Sequence, residues 1–113
     1  AWEGLDATVP AAARYHQWDG KNALDLREFV QYVQTEERRN MIESIIDTFE
    51  KEILPHKDSF QVGLNHGDYN DANIIVQDGR VVGVIDFGDS VATWRILDVC
   101  VAMAYSMLSP YAQ

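Results

Sequence analysis

The sequence predicts an α+β fold that is mainly helical and contains one short β-hairpin. Apolar residues recur at helical spacing in the first half of the chain, and a segment near its end is apolar on nearly every side of a helix. Between these stretches, two runs rich in β-branched residues flank Asp78-Gly79, a dipeptide that favours a two-residue hairpin turn. We expect residues 1–113 to form one domain.

Two helices are predicted in the first half. The first covers about residues 23–34, after Asn22 as its N-cap. Its apolar face has i, i+3, i+4 and i+7 spacing and consists of Leu26, Phe29, Val30 and Val33. The second begins after Thr35, also an N-capping residue, and ends at Pro55. Its apolar stripe consists of Met41, Ile42, Ile45, Ile46, Phe49 and Ile53.

The second half changes from helical to extended patterns. Residues 60–65 predict a short strand, and residues 74–76 and 80–85 predict the two arms of the hairpin. Residues 94–108 are apolar on nearly every side, which predicts a buried helix that is too short to cross a bilayer comfortably. We expect Cys100, the single cysteine, to be a small buried side chain within it.

The charge balance limits the kinds of partner. The chain carries 18 acidic residues against 9 Lys and Arg, a formal net charge of −9. This argues against a nucleic-acid partner and against an anionic membrane surface, since both require clustered basic residues. Acidic side chains gathered at one place could instead bind divalent cations.

The ends of the chain give two further expectations. Ala1-Trp2-Glu3-Gly4 carries neither the basic nor the apolar region of a secretory signal, and a single cysteine is compatible with a reducing compartment, so we expect a cytoplasmic protein. The chain begins without Met and stops soon after an apolar helix. We therefore expect it to be a piece of a larger protein.

Three polar side chains at the turn and hairpin predict a phosphoryl-transfer site. Asp68 and Asn73 lie five positions apart, and the hairpin that follows returns the chain at Asp86. A carboxylate can accept the proton of a substrate hydroxyl, while an amide oxygen and a second carboxylate suit a hard Mg²⁺ ion. We expect the three side chains to face one cleft.

The string from Asn65 to Asn73, NHGDYNDAN, followed by Asp86-Phe87-Gly88-Asp89, resembles the aminoglycoside phosphotransferase and choline kinase family, relatives of protein kinases. It is most similar to the hydroxylysine kinase branch, which also has an Asn-Asp pair inside the loop. The resemblance implies a protein-kinase-like C-terminal lobe and a small-molecule kinase with an alcohol acceptor. It covers the second half of the chain well and the helical first half only loosely.

The resemblance also implies roles for individual residues. Asp68 would be the catalytic base. Asn73 and Asp86 would bind Mg²⁺ and, through it, the nucleotide, with ATP or GTP as phosphoryl donor. His66 and Asp98 would brace the catalytic loop, although the Asp-Pro pair usual in the family near Asp98 is missing here.

Several features of such kinases cannot be found in this sequence. There is no Gly-rich loop after a strand, no strand Lys that contacts phosphates, and no helix Glu that pairs with it. The chain therefore resembles part of a C-terminal lobe without the N-terminal nucleotide-binding lobe, and we expect that it does not turn over alone.

Alternatives remain open at this point. His66, Asp68 and Asp86 could be Zn²⁺ or Mn²⁺ ligands of a metal-dependent hydrolase, although Asn73 would then have no role. The chain could also be a kinase-like module without catalytic activity. Asp71 either shapes the loop or touches substrate, and Asp89 either supports the metal site or caps the segment that follows.

Overall fold

The computed structural model describes residues 12–108, so the N-terminal residues examined for a signal lie outside the described part. Two compact units can be distinguished. One is Gly20–Phe60, and the other combines the chain up to Asp19 with the chain from Gln61 onward. Helices and two small antiparallel sheets confirm the α+β prediction.

The unit Gly20–Phe60 is entirely helical. It contains a 3-10 helix and an α-helix, α1, followed directly by a π-helical turn and a second 3-10 helix: Gly20–Tyr32, Glu36–Thr48, Phe49–Ile53 and Leu54–Ser59. The predicted N-cap of α1 is confirmed, because Thr35 Oγ1 accepts a hydrogen bond of 3.3 Å from Arg38 N. Asn22, the other predicted cap, lies within the first 3-10 segment at a kink with φ −93° and ψ 17°.

The apolar stripe of α1 is only partly buried. Ile46 is buried, but Met41 and Ile45 are 58% and 63% exposed. A unit this small has few apolar side chains to lay over a helix, so only the centre of the stripe is covered.

One exposed charge network spans the Gly20–Phe60 unit. Arg27 binds Asp47 at 2.7 Å and Glu50 at 2.8 Å, and Lys51 binds the other oxygen of Asp47 at 3.0 Å. The hydrogen bond and the positive charge of Lys51, with a further contribution from Arg27, lower the pKa of the Asp47 carboxyl. These side chains are largely exposed, so each pair contributes little to stability.

The second unit holds both sheets and a helix. Strand β1, Val62–Asn65, pairs antiparallel with β4, Val91–Trp94, and β2, Ile74–Gln77, pairs antiparallel with β3, Arg80–Val84. Short 3-10 turns at Asp71–Asn73 and Phe87–Asp89 precede β2 and β4, and helix α2 covers Ile96–Leu108.

The hairpin forms at the predicted turn. Asp78 and Gly79 both have positive φ, 51° and 72°, as a two-residue turn of the favoured twist requires. Gln77 pairs with Arg80 across it, and a register shift between Ile75 and Val76 places a bulge in the ladder.

Strand β4 was not predicted, and its presence corrects the start of the last helix. Trp94 was assigned to that helix, but it ends β4 and lies opposite Val62. Val91, Thr93 and Trp94 are buried there. Their pairing with β1 satisfies backbone groups that a longer helix would have satisfied internally.

Residues 12–19 are attached to β4 by hydrogen bonds. Ala92 N donates to Ala12 O at 2.7 Å, and Thr93 Oγ1 donates to Asp19 Oδ1 at 2.7 Å. Ala12 and Asp19 are both buried. This segment is therefore part of the sheet's packing rather than a separate tail.

The predicted burial of α2 is wrong. None of the residues of Ile96–Leu108 is buried, Cys100 is exposed, and Met107 and Leu108 are 75% and 79% exposed. A helix that is apolar around its whole circumference needs neighbours on every side, and the described elements do not supply them. Across residues 12–108, the structure contains no helix with the length and apolarity needed to span a bilayer.

Candidate active site

The two sheets position the predicted residues. Strand β1 ends at Asn65 and leads into His66, Gly67 and Asp68, while the β2–β3 hairpin starts directly after Asn73. Ile85 N donates to Asn73 O at 3.0 Å, so the backbone leading to Asp86 runs alongside Asn73. The hairpin thus returns the chain as the sequence analysis predicted.

Asp68 and Asn73 are in direct contact. Asn73 Nδ2 donates to Asp68 Oδ2 at 3.0 Å and to Asp68 O at 2.9 Å, while Asn70 Nδ2 donates to Asp68 Oδ1 at 2.9 Å. Each carboxylate oxygen therefore has an amide donor. These bonds hold the carboxylate in one orientation without neutralising its charge.

Asn70 also shapes the turn that carries Asn73. Its Oδ1 accepts from Ala72 N at 2.8 Å and from Asn73 N at 3.2 Å, as an N-cap of the short turn Asp71–Asn73. No role for Asn70 was predicted from the sequence. Asp71 is exposed in this turn, and whether it touches substrate stays a prediction.

His66 is fully buried and both of its ring nitrogens are engaged. Nδ1 accepts from Asp68 N at 3.3 Å, so Nε2 carries the proton and donates to Ile85 O at 2.8 Å. The rings of Phe87 and Tyr69 pack against it, with centroids 5.0 Å and 6.0 Å away. The imidazole therefore ties the loop to the hairpin and has no lone pair left for a metal, which weighs against the hydrolase alternative.

Asp98 reaches the same loop from α2. Its Oδ2 accepts from His66 N at 2.9 Å and its Oδ1 from Gly67 N at 3.0 Å. A carboxylate that accepts hydrogen bonds from two backbone N–H groups is fixed in position, and it also fixes the backbone that carries those groups. Asp98 thus lies where a loop-bracing residue must lie, despite the missing Asp-Pro pair.

Gly67 lies close to the backbone of the segment after the hairpin. Its φ is +88°, and a Cβ placed there would be 2.5 Å from Asp89 O. Asp89 Oδ1 lies 3.2 Å from His16 Nε2, and Arg14 donates to the neighbouring Gly88 O. Only glycine fits both the backbone angle and the space at this position.

Asp86 is exposed and has a left-handed backbone conformation, with φ 61° and ψ 68°. This conformation costs a non-glycine residue about 1–2 kcal/mol. Strained residues of this kind cluster at functional sites, where surrounding structure holds them in place. Asp78 in the hairpin turn also has positive φ, so the conformation alone does not distinguish Asp86 from a turn aspartate.

The donor set fits Mg²⁺ better than a metal that is bound by protein ligands alone. Within residues 12–108, no group of three or more His, Cys, Asp or Glu side chains could hold a metal ion. Mg²⁺ does not need such a group, because it is typically held by one or two protein oxygens together with substrate phosphates and water. Asn73 uses Nδ2 for both of its side-chain hydrogen bonds, which leaves Oδ1 available as an oxygen ligand.

A cavity beside Asp68 was not anticipated from the sequence. It has a volume of about 390 Å³ and is lined by Trp18, Gly67, Asp68, Asp89, Val101 and Tyr105. Tyr105 lies seven residues after Asp98 on α2, hence on the same face of the helix. That spacing is the signal by which Tyr105 could have been found.

The chain is similar to known phosphotransferases along most of its length. The sequence model of the phosphotransferase enzyme family matches residues 1–110. The hydroxylysine kinase of Xenopus laevis is 30% identical over 101 residues, which is 80% of this chain and 27% of that protein. The hydroxylysine kinase of Mus musculus is 27% identical over 112 residues, which is 88% of this chain and 30% of that protein.

These matches agree with the resemblance drawn from the loop and hairpin residues. The chain spans between a quarter and a third of the length of the curated relatives it matches. No solved structure matches it significantly. Because the family model covers almost every residue of the sequence, the chain belongs to the phosphotransferase enzyme family.

Proposed function

We propose that the complete protein containing this chain is a small-molecule kinase that transfers the γ-phosphoryl group of ATP or GTP to an alcohol. The observation that carries the proposal is the orientation of the Asp68 carboxylate beside an open cavity. The side-chain amides of Asn70 and Asn73 hold it there. Membership in the phosphotransferase family and the similarity to hydroxylysine kinases support the same reaction class.

In this proposal Asp68 accepts a hydrogen bond from the acceptor hydroxyl and takes its proton late in the transfer. The amides of Asn70 and Asn73 keep the carboxylate directed at the acceptor, and His66 and Asp98 keep the loop itself in place. Asn73 Oδ1 and the Asp86 carboxylate would hold Mg²⁺. Bound Mg²⁺ would offset the phosphate charge that develops during transfer.

We further propose that the acceptor is an amine-bearing alcohol, with hydroxylysine as the first candidate. Two carboxylates, Asp68 and Asp89, line the cavity beside the aromatic ring of Trp18, and none of its described lining residues is Lys or Arg. Such a surface favours a cationic small molecule over an anionic one. The names of the relatives support the same acceptor class.

The test is a transfer assay on the full-length protein with ATP and GTP against hydroxylysine, simple amino alcohols and aminoglycosides. Asp68→Ala should lower turnover by about 10²- to 10⁴-fold with little change in thermal stability. Asp58→Ala, at an exposed position outside the site, is the matched control and should keep wild-type turnover. Near-normal turnover in Asp68→Ala would remove it as the base, and no transfer to any alcohol would leave a non-catalytic module.

A further inference from the structure

The cavity beside Asp68 is lined by two carboxylates that come from different segments of the chain. Asp68 belongs to the loop after β1, whereas Asp89 ends the short turn Phe87–Asp89 that follows the hairpin. The cavity volume of about 390 Å³ lies within the range of small-molecule pockets. The proposed reaction uses only Asp68, so the second carboxylate in the wall needs a role of its own.

The two carboxylates differ in how many of their oxygens are bound by the protein itself. Both oxygens of Asp68 accept side-chain amides, from Asn70 at 2.9 Å and from Asn73 at 3.0 Å. The described contact of the Asp89 carboxylate is made by Oδ1, which lies 3.2 Å from His16 Nε2. Asp89 Oδ2 can therefore accept a hydrogen bond from a molecule in the cavity while Oδ1 keeps its contact with His16.

The backbone of Asp89 is packed tightly against the loop. An added Cβ at Gly67 would lie 2.5 Å from Asp89 O and 3.3 Å from Asp89 Cβ. The turn that carries Asp89 is closed by a hydrogen bond of 3.1 Å from Ser90 N to Phe87 O. Since Gly67 directly precedes Asp68, the two carboxylates are fixed relative to each other, as recognition of one molecule at two points requires.

His16 holds the Asp89 carboxylate from its more buried side. The imidazole is 15% exposed, whereas the Asp89 side chain is 44% exposed. His16 Nδ1 accepts a hydrogen bond of 3.3 Å from Trp18 N, so Nε2 carries the proton that is donated to Asp89. The histidine thus orients the carboxylate and leaves its more exposed part to the cavity.

This arrangement bears on the two roles that the sequence left open for Asp89. Within residues 12–108, the Asp89 carboxylate contacts a histidine ring and no backbone N–H group, which speaks against capping. None of the described lining residues of the cavity is Lys or Arg. A carboxylate that is oriented by the protein and has an oxygen to spare is a suitable partner for an ammonium group.

We propose that Asp89 is a specificity-determining residue that binds the ammonium group of the acceptor while Asp68 binds its hydroxyl. This inference rests on the proposed kinase function. An alcohol that carries the ammonium group is then held at two points, and an alcohol without it at one. Selection among alcohols with the same hydroxyl follows from that difference.

The decisive experiment compares matched acceptors in the full-length protein. Hydroxylysine is measured beside two analogues that keep its hydroxyl, one without the ε-ammonium group and one without the α-ammonium group. We expect one of these analogues to have a KM about 10- to 100-fold above that of hydroxylysine, the scale of one hydrogen bond between charged groups. Asp89→Asn keeps the shape of the side chain and removes its charge. It should raise the KM of hydroxylysine by the same factor, leave the KM of that analogue unchanged, and keep kcat for both.

Two further variants and one binding measurement complete the design. Asp89→Glu keeps the charge and should keep the preference for hydroxylysine. Asp78→Asn makes the same charge change at an exposed aspartate in the hairpin turn, outside the described cavity wall, and should leave all KM values unchanged. Asp89→Asn should bind Mg²⁺–nucleotide with wild-type affinity by calorimetry, and a loss of that affinity would place Asp89 at the metal site and overturn the inference.

The outcomes separate this inference from the proposed function. If the wild-type protein phosphorylates alcohols but hydroxylysine has no advantage over either analogue, the inference is overturned and the kinase function stands. The same conclusion follows if Asp89→Asn raises the KM of all three acceptors equally, because the carboxylate would then have a merely structural role. If the wild-type protein transfers phosphate to no alcohol, both proposals fail together.

Discussion

Replacement of Gly67 by alanine tests whether the loop and the segment after the hairpin must approach as closely as they do. A Cβ at this position would lie 2.5 Å from Asp89 O, whereas ordinary contact begins at 3.4 Å, so the two backbones must separate by about 0.9 Å. Gly67 N is also bonded to Asp98 and precedes Asp68 directly. The shift therefore falls on the proposed catalytic base.

The expected size of the effect follows from this displacement. Misplacement of a catalytic group by about 1 Å costs about 10²-fold in rate. The backbone angle adds a separate penalty, because φ is +88° and the left-handed region costs alanine about 1–2 kcal/mol relative to glycine. We expect Gly67→Ala to lose about 10²-fold in kcat in the full-length protein, together with a measurable loss of unfolding free energy.

Gly79 provides a matched control that separates strain from steric overlap. Its φ is +72°, but a Cβ there would meet nothing within 4 Å. Gly79→Ala should therefore lose about 1 kcal/mol of unfolding free energy and keep wild-type kcat. The assays are steady-state kinetics and denaturant unfolding on both variants. If Gly67→Ala retains as much activity as Gly79→Ala, the close approach to Asp89 has no bearing on the site and the reasoning is refuted.

Two further substitutions address the loop and the metal site. Asp98→Asn leaves one acceptor oxygen for two backbone N–H groups and should lower the unfolding free energy, measured with denaturant, by about 2–3 kcal/mol. The control Asp58→Asn, at an exposed position, should lower it by almost nothing. Equal stabilities of the two variants would show that the two hydrogen bonds of Asp98 contribute nothing. Asp86→Gly removes the proposed metal ligand while relieving its left-handed backbone, so Mg²⁺–nucleotide binding by calorimetry should be lost without loss of stability. Asp78→Gly changes an aspartate of similar φ, 51°, in the hairpin turn and should bind Mg²⁺–nucleotide normally; wild-type binding by Asp86→Gly would exclude Asp86 as a ligand.

The local features of the fold followed from the sequence because local chemistry decides them. Thr35 caps α1 through its own side chain, and Asp78-Gly79 adopts the positive φ values that few other dipeptides tolerate. The hairpin then determines which residues enter and leave the turn region, so the neighbourhood of Asn73 and the backbone before Asp86 could be predicted as well.

The features that depend on distant partners could not be predicted. Strand β4 forms because it pairs with β1, which lies about 30 residues earlier in the chain. The sequence of β4 itself contains no signal for that pairing. The exposure of Ile45 and Met107 has the same origin, since an apolar pattern shows what a side chain would prefer and not whether a neighbour is present to cover it. Tyr105 was missed because its place in the wall of the cavity beside Asp68 depends on how α2 lies against the loop.

The way in which the acidic residues are satisfied connects the fold to the proposed chemistry. Asp68 is held by two side-chain amides, Asp98 by two backbone N–H groups, and Asp89 by His16. None of these described partners is Lys or Arg. The amides that hold Asp68 and the backbone N–H groups that hold Asp98 are neutral donors. They fix a carboxylate without cancelling its charge, so the loop keeps a negative potential that a Lys or Arg partner would have removed. For the proposed function, this negative potential favours the approach of Mg²⁺ and of a cationic acceptor. Lys or Arg beside Asp68 could orient the carboxylate equally well, but its positive charge would repel both.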